Sequence, residues 1–291
     1  GWFFHAPVPP GTRREDYDFR RLLFRAAGFE FACAFEHVGF WDLRIAVAER
    51  YRKGRVFIAG DAAHSHPPYG GFGLNNGLED AVNLAWKLKA RLEGWGSDAL
   101  LTSYDEERRP VFRDTGNDFI AARIAADRAF LDRYSPERDR AEFEQAWRNR
   151  LAPAGDFVRS YEPNYEGSPV VWGPPGGQSG AHGKHLFEAR AGHHLAPQPL
   201  SSGGNVFEAL GRGFTLLAFD ADDASVETIA AAARRLDMPL TVVRDSLSGG
   251  RKNYGVRLTL ARPDQYVAWT GDRAPRDARA MLARTLGRTE G

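Results

Sequence analysis

Residues 55–88 read RVFIAGDAAHSHPPYGGFGLNNGLEDAVNLAWKL. A short apolar run stops at Gly60-Asp61. Two histidines, Pro67-Pro68 and a cluster of glycines follow, and a long regular segment begins. That order predicts a short buried strand, a turn and a helix. The helix is expected from about Leu74 to Leu92, with Leu74, Leu78, Ala81, Val82, Ala85 and Leu88 along one side. Glu79 and Asp80 stand in its early turns and Lys87, Lys89 and Arg91 in its later ones, as the helix macrodipole prefers.

Three chemistries compete for the turn. Asp61 ends a strand in an α/β context, where such folds bind ligands, and its carboxylate can accept two hydroxyl hydrogen bonds from a sugar or polyol. It can equally cap the turn that follows. Gly70, Gly71 and Gly73 permit positive φ and close approach of backbone to a ligand, and the helix opening at Leu74-Asn75-Asn76 presents N–H groups and a positive dipole end. A plain glycine turn with an Asn cap accounts for the same residues. Asp61, His64 and His66 also place three metal-ligating types within a few positions. Pro67-Pro68 stiffens the chain right after them and no further cluster lies nearby, so polar lining of a ligand cleft is the preferred reading, with no metal.

The chain has 291 residues, 43% of them hydrophobic, which suffices for one large or two ordinary domains. A net charge of +1 gives no case for nucleic acid. Cys33 is the single cysteine, so an internal disulfide is excluded, in keeping with a cytoplasmic protein. No apolar run reaches the roughly 18–20 residues of a membrane span, and no signal peptide is visible at the start.

Around the turn, GWFFHAPVP is expected to be a strand, REDYDFRRLLFRAAG a helix closed by Gly28, and FEFACAFEHVGFWDLRIAVAERY strands. DALLTSYDEERRPVFRDTGNDFIAARIAADRAFLDRY reads as helix interrupted near Pro110, and RAEFEQAWRNRL as another helix. Residues 152–200 are rich in Gly and Pro and read as a long connection over a surface. Then VFEALGRGFTLLAFD, SVETIAAAARRL, PLTVVRD, YGVRLTLARPDQYVAWTG and PRDARAMLARTLGR give the strands and helices of a small α/β domain. Mixed-sign runs such as TRRED and DEERRPVFRD are expected to be solvated faces. Phe31, Phe35, Phe40 and Trp41 are expected in core rather than lining a pocket. Arg44, beside Asp42, is expected in a surface or interdomain ion pair, and His193-His194 in a structural role.

The whole string GRVFIAGDAAHSHPPYGGFGLNNGLEDAVNLAWKLKA resembles the second flavin-binding fingerprint of the group A FAD-dependent aromatic hydroxylases, the flavoprotein monooxygenases of the phenol, hydroxyphenylpropionate and polyketide hydroxylase type. AERYRKGRVF resembles the approach to that fingerprint. Tyr104, Glu107, Arg108 and Pro110 match the family's Tyr-x-x-Glu-Arg-x-Pro segment, so the likeness is dense over roughly residues 41–115. VFEALGRGFTLLAF and VRLTLARPDQYVAW are similar to the extra thioredoxin-like domain of the phenol and polyketide hydroxylase branch, here without Cys-x-x-Cys and so without thiol redox work.

The resemblance implies an α/β (α+β) fold: a truncated FAD-binding and substrate domain followed by a thioredoxin-like domain. Residues 1–50 would end the substrate-domain sheet, 51–160 the FAD-binding domain with its helices, and 161–291 would be linker and thioredoxin-like domain. It implies FAD held by Gly60, Asp61, Pro68, Gly70, Gly71, Gly73, Leu74 and Asn75, with Asp61 on the ribityl chain and the helix N-terminus facing the pyrimidine side of the isoalloxazine. Pro67 and Pro68 would lie along the reactive edge of the ring, and Tyr69 and Phe72 would neighbour a small aromatic substrate. NAD(P)H would reduce the flavin, O₂ would give a C4a-hydroperoxide, and a phenolic ring would attack it. Packing or homodimer contact would be the role of the extra domain.

The family's Gly-x-Gly-x-x-Gly and Asp-Gly motifs do not precede Arg55. The expectation is therefore a C-terminal portion that lacks the adenosine site and does not turn over alone. The alternative is a binding or assembly module that holds no flavin.

Overall fold

The structure is a computed structural model and describes residues 2–40, 44–151 (of Leu151 the backbone only) and 159–288. It divides into two units, Gly1–Leu43 and Arg44–Gly291. Trp41 and Asp42 lie outside the described residues.

The first unit holds one helix, α1 (Phe19–Ala27). Asp18 caps it by accepting from the Arg21 N–H, and Gly28, at φ 81°, ends it in the left-handed region that glycine adopts without strain. No residue of α1 is buried. The strand expected over GWFFHAPVP is absent from its described residues, and 30–40 are irregular as well. Phe31, Phe35 and Phe40 are exposed rather than core, with Phe31 resting against Phe24 and Phe29. Aromatic residues alternate here, but among the described residues no second strand pairs with them.

The second unit opens with two-residue strands: β1 (Ala46–Val47), β2 (Arg52–Lys53), β3 (Val56–Phe57) and β4 (His64–Ser65). β2 pairs with β3 and β1 with β4, both antiparallel. The strand expected at RVFIAG is therefore only β3 long, and Val56 on it is exposed. Arg44 is exposed.

Helix α2 (Phe72–Leu92) starts two residues earlier than its apolar pattern suggests. α3 (Asp98–Asp114) is capped by Ser97, whose hydroxyl accepts from the Ala99 and Leu100 N–H groups, and it runs through Pro110 without a break. The interruption falls later, in a π-helical segment, Thr115–Ala121, before α4 (Ala122–Arg133). α5 (Arg140–Leu151) follows as expected, and the aromatic rings of Phe130, Phe143 and Trp147 join it to α4.

The Gly- and Pro-rich stretch is more than a surface connection. It forms the antiparallel pair β5 (Tyr161–Tyr165) and β6 (Ser179–His182), which lies against α3 and buries Tyr165, Val170, Val171 and Ala181. Its glycines are used for close approach: a Cβ on Gly192 would lie 2.6 Å from the Glu166 amide nitrogen.

The last part is a four-stranded sheet of β7 (Phe214–Phe219), β8 (Leu240–Asp245), β9 (Leu258–Ala261) and β10 (Val267–Gly271), in the order β10-β9-β7-β8. β7 and β8 are parallel and joined through α6 (Asp223–Arg235); the other pairs are antiparallel. α6 and α7 (Ala278–Thr285) cover one face, and their core of Leu216, Leu258, Leu260, Ile229, Met281 and Leu282 continues into Trp86 and Trp95 around the end of α2. Every residue of β7 is buried, as expected for a central strand covered on both faces.

Helix α2 reverses the usual amphipathic arrangement. Its apolar side, Leu74, Leu78, Ala81, Val82 and Ala85, is exposed, whereas Asn76, Asp80, Asn83 and Lys87 are buried. The polar stripe meets equally polar residues of α3 and of the β9–β10 turn. Glu107 accepts from Arg262 (2.6 and 2.9 Å), Lys87 (2.6 Å), Asn83 (2.7 Å) and Ser168 (2.6 Å). Asp264 accepts from Arg262 (2.6 and 2.9 Å) and from the Trp86 indole (2.9 Å). Glu107 and Arg108 thus sit in the interior, and DEERRPVFRD is no solvated face.

Burial alone would raise the Glu107 carboxyl, but Arg262 and Lys87 overcome it and hold the group well below the usual carboxylate range. A depressed carboxylate contributes stability above its unfolded value and loses it as pH falls. Stability of the chain should therefore decline as pH drops below the ordinary glutamate value of 4.5. Glu107→Gln should cost about 3–5 kcal/mol at neutral pH, because two buried cations lose their shared counter-charge, and should flatten that acid slope. Urea unfolding between pH 3 and 7 measures both effects.

Candidate functional site

The turn between β3 and α2 is built from backbone constraints. Past Phe57, the Ile58 N–H donates to the Tyr51 carbonyl and the Tyr104 hydroxyl donates to the Ile58 carbonyl, fixing the chain on α3. Gly60 then turns at φ 55° into a short 3₁₀ turn, Gly60–Ala62. Gly60 and Gly77 face each other backbone to backbone: a Cβ on Gly77 would stand 3.4 Å from the Gly60 Cα. That contact lays the Gly60-Asp61 turn directly on the first turns of α2. Asp61 itself is exposed and has no hydrogen-bond or ion-pair partner among the described residues.

Pro67 is buried and Pro68 exposed. The Tyr69 N–H donates to the Pro67 carbonyl, which closes a tight bend. Gly70 and Gly71 follow at φ 69° and 73°, the left-handed region that disfavours side chains. Gly71 is the helix cap and has no side chain to accept from the first amides of α2. Nothing stands within 4 Å of where its Cβ would be, so the space over the turn is open. Leu74 and Asn75 are exposed at the helix start, with the Asn75 amide donating to the Gly71 carbonyl at 2.9 Å.

The two aromatic residues of the turn differ. Phe72 packs on Tyr161 (4.7 Å between ring centroids) and Phe119 (6.3 Å), inside the cluster that joins the π-helical segment to β5. Tyr69 is half-buried, with the Arg123 guanidinium 5.9 Å from its ring centroid. Tyr69 thus keeps part of its surface in solvent beside Arg123, while Phe72 packs into the aromatic cluster.

The two histidines make different contacts. His64 is buried, hydrogen-bonds Asp80 through Nε2 at 2.8 Å and stacks on Phe112 at 3.8 Å. The His66 Nδ1 hydrogen-bonds the Pro67 carbonyl, and its buried Nε2 has no partner and lies 3.2 Å from a Cβ placed on Gly73. Among the described residues no group of three or more His, Cys, Asp or Glu side chains could hold a metal ion.

A second set of residues, not singled out as site residues from the sequence, lies beneath the turn. Asp80 is fully buried and accepts from the Gly60 N–H (3.0 Å), from His64 and from the Arg108 Nε (2.7 Å). Arg108 also donates to the Asn76 carbonyl (3.2 Å), to its side-chain oxygen (3.1 Å) and to the Tyr165 hydroxyl (3.1 Å). The Asn76 amide in turn donates to the Phe72 carbonyl and the Tyr161 hydroxyl. Burial pushes the Asp80 carboxyl up, and His64 and Arg108 more than reverse this, so it lies below the usual carboxylate range. The signal in the sequence is the spacing itself: Asn76, Asp80, Asn83 and Lys87 repeat at helical intervals opposite the apolar side.

A flat ring with an electron-rich edge and a hydroxylated tail fits these residues. Exposed amides of a long helix favour negative charge, the open space over Gly71 admits a close ligand, and the unpartnered Asp61 carboxylate can take hydroxyl donors.

Comparison with known proteins supports FAD as the cofactor. Residues 13–117 match a family model described as an FAD binding domain, and residues 188–289 one described as the C-terminal part of aromatic-ring hydroxylases. A 4-methyl-5-nitrocatechol 5-monooxygenase from a Burkholderia species is 35% identical over 86% of this chain and 46% of its own length. Among solved structures, RebC with bound 7-carboxy-K252c superposes with a TM-score of 0.79 at 31% identity, over 94% of this chain and 53% of that one. Aklavinone-11 hydroxylase with FAD and aklavinone gives a TM-score of 0.71 at 27% identity, over 96% and 53%. The chain thus spans about half the length of the proteins it resembles. With an FAD binding domain match over residues 13–117 and an aromatic-ring hydroxylase C-terminal match over residues 188–289, the chain is similar in both parts to the group A FAD-dependent aromatic-ring hydroxylases.

Proposed function

We propose that this chain contributes the ring-and-ribityl part of an FAD site in a monooxygenase that hydroxylates a phenolic or polyketide aromatic ring with NAD(P)H and O₂. The observation that carries the reading is the open glycine turn at the start of α2, set directly beside the exposed Asp61 carboxylate. When bound, the flavin supplies the redox chemistry: it takes reducing equivalents from NAD(P)H and activates O₂ for transfer of one oxygen atom to the substrate ring.

The rest falls to the chain. Asp61, next to Gly60, accepts hydroxyl hydrogen bonds from the ribityl tail. The N–H groups of Gly73, Leu74 and Asn75 favour negative charge at the pyrimidine edge of the ring, and they need no reorganisation because the helix already orients them. Gly70 and Gly71 keep side chains out of the way. Pro67 and Pro68 hold the approach rigid, and Pro68 presents an apolar edge that sheds water from the ring. Tyr69 is the residue of the turn best placed to meet an aromatic substrate. No residue is assigned to the adenosine end. The division at residues 50 and 160, a homodimer through the C-terminal domain and a cytoplasmic location belong to the same proposal. For the described residues, no helix is long and apolar enough to cross a membrane.

Asp61→Ala should weaken FAD binding by about 1–3 kcal/mol, the usual cost of losing a charged hydrogen-bond partner, with little change in thermal stability. Flavin fluorescence titration reads the affinity, and unchanged retention counts against the assignment. A colourless preparation that takes up no added FAD favours a binding or assembly role instead. Gly71→Ala meets no neighbour but forces a left-handed φ, at about 1–2 kcal/mol. Gly54→Ala, in the β2–β3 turn at φ 60° with equally open surroundings, carries the same strain. The two variants should lose similar stability in urea, and Gly71→Ala alone should lose FAD.

A further inference from the structure

We infer that Asp80 is the positioning residue of the flavin site: clamped by Arg108 and His64, it sets the spacing between the Asp61 turn and the amides at the start of α2. The inference rests on the proposed function above. It concerns a side chain that touches no ligand, because Asp80 is fully buried.

Two arms leave the Asp80–Arg108 pair. One runs from Asp80 Oδ2 to the Gly60 N–H at 3.0 Å, one residue from Asp61. The other runs from Arg108 to the backbone and side-chain oxygens of Asn76, and from the Asn76 amide to the carbonyl of Phe72, the first residue of α2. The two halves of the site therefore share one buried anchor, the Asp80–Arg108 pair that joins α2 to α3. His64 hydrogen-bonds the same oxygen of Asp80 that holds Gly60, and the ring of Phe112, also on α3, stacks against it. The glycine pair Gly60 and Gly77 lets the turn and helix backbones touch, but van der Waals contact between two Cα atoms does not fix register along the helix. Directional bonds to the Gly60 amide do, and Asp80 supplies them from a helix that also carries the ring-facing N–H groups.

The arrangement predicts a split that general destabilisation does not. Asp80→Asn keeps the shape and weakens both arms, so amide hydrogen exchange should quicken by about tenfold at residues 60–62 and together with them at 75–79, whose N–H groups close the first turns of α2. Asn76→Ala removes only the side-chain bonds of the second arm and should quicken exchange at 75–79 while residues 60–62 keep the protection they have. Glu107→Gln, one residue from Arg108 but bonded to the Arg262 cluster, serves as the matched control. It loses stability without selective exchange at either segment. In flavin-loaded protein, Asp80→Asn should weaken FAD by about tenfold and shift the visible absorption band of what remains, whereas Glu107→Gln should leave the band in place.

Equal exchange patterns for Asp80→Asn and Glu107→Gln, or no change at either segment, overturn the inference. Should Asp80→Asn fail to fold, Asn76→Ala still decides it, since loss of protection at 60–62 as well would contradict two separate arms. Exchange is read without flavin, so if the variants show the split while the wild-type chain takes up no FAD, the flavin reading alone is overturned and the clamp stands.

Discussion

The polar seam between α2 and α3 is the interaction on which the rest of the second unit depends. A helix usually turns its apolar stripe inward. Here Asn76, Asp80, Asn83 and Lys87 go inward because α3 and the β9–β10 turn supply matching partners in Arg108, Glu107, Ser103 and Arg262. Every charge in the seam is paired, which is the condition under which buried charge is tolerated. One end of the seam reaches the glycine turn through Asp80, and the other reaches the C-terminal sheet through Glu107 and Asp264. The candidate flavin site and the C-terminal domain are therefore held by adjacent residues of one helix, Glu107 and Arg108.

This gives each residue of the Tyr-x-x-Glu-Arg-x-Pro segment a physical task. Tyr104 donates its hydroxyl to Ile58 and steers the strand that leads into the turn. Glu107 collects Lys87 and Arg262. Arg108 spreads its guanidinium over Asp80, Asn76 and Tyr165, a use of planar, fixed donors that a lysine could not reproduce. Pro110 sits inside α3 where the sequence suggested a break, and the helix continues past it. The irregularity comes five residues later as a π-helical segment, whose Phe119 lies against Phe72 and Tyr161. Segments of this kind are frequent near functional sites, and this one packs against the turn.

Local features with strong chemistry were legible in the sequence. The glycine turn, the long helix behind it, the cap at Gly28 and the order of strands and helices after Val206 follow from turn residues and periodicity. What periodicity could not decide was which side of α2 faces inward. Leu74, Leu78 and Val82 form as regular a stripe as Asp80 and Lys87, and only the partners, far away in sequence at Glu107 and Arg262, choose between them. The same limit explains residues 2–40: alternating aromatics read as strands, but a strand needs a neighbour, and none is present among the described residues. The Gly- and Pro-rich stretch misled in the opposite sense, because glycines at 167, 177 and 192 serve close packing rather than looseness.

A buried ion pair is a costly way to join two helices, and an apolar contact of similar volume would often be at least as stable. The reason to use one here lies in what has to be held. The Gly60 amide is a partly buried backbone donor, and leaving it unpaired would cost up to about 1–3 kcal/mol, the figure for a fully buried group. A leucine at position 80 could fill the space and leave that amide stranded. A carboxylate satisfies it and is in turn neutralised by Arg108, whose remaining donors reach Asn76 at the head of the helix. Direction, not attraction, is what the pair contributes. The proposed site, a carboxylate and a row of amides presented to one flat ligand at fixed spacing, needs that direction, which packing alone does not provide.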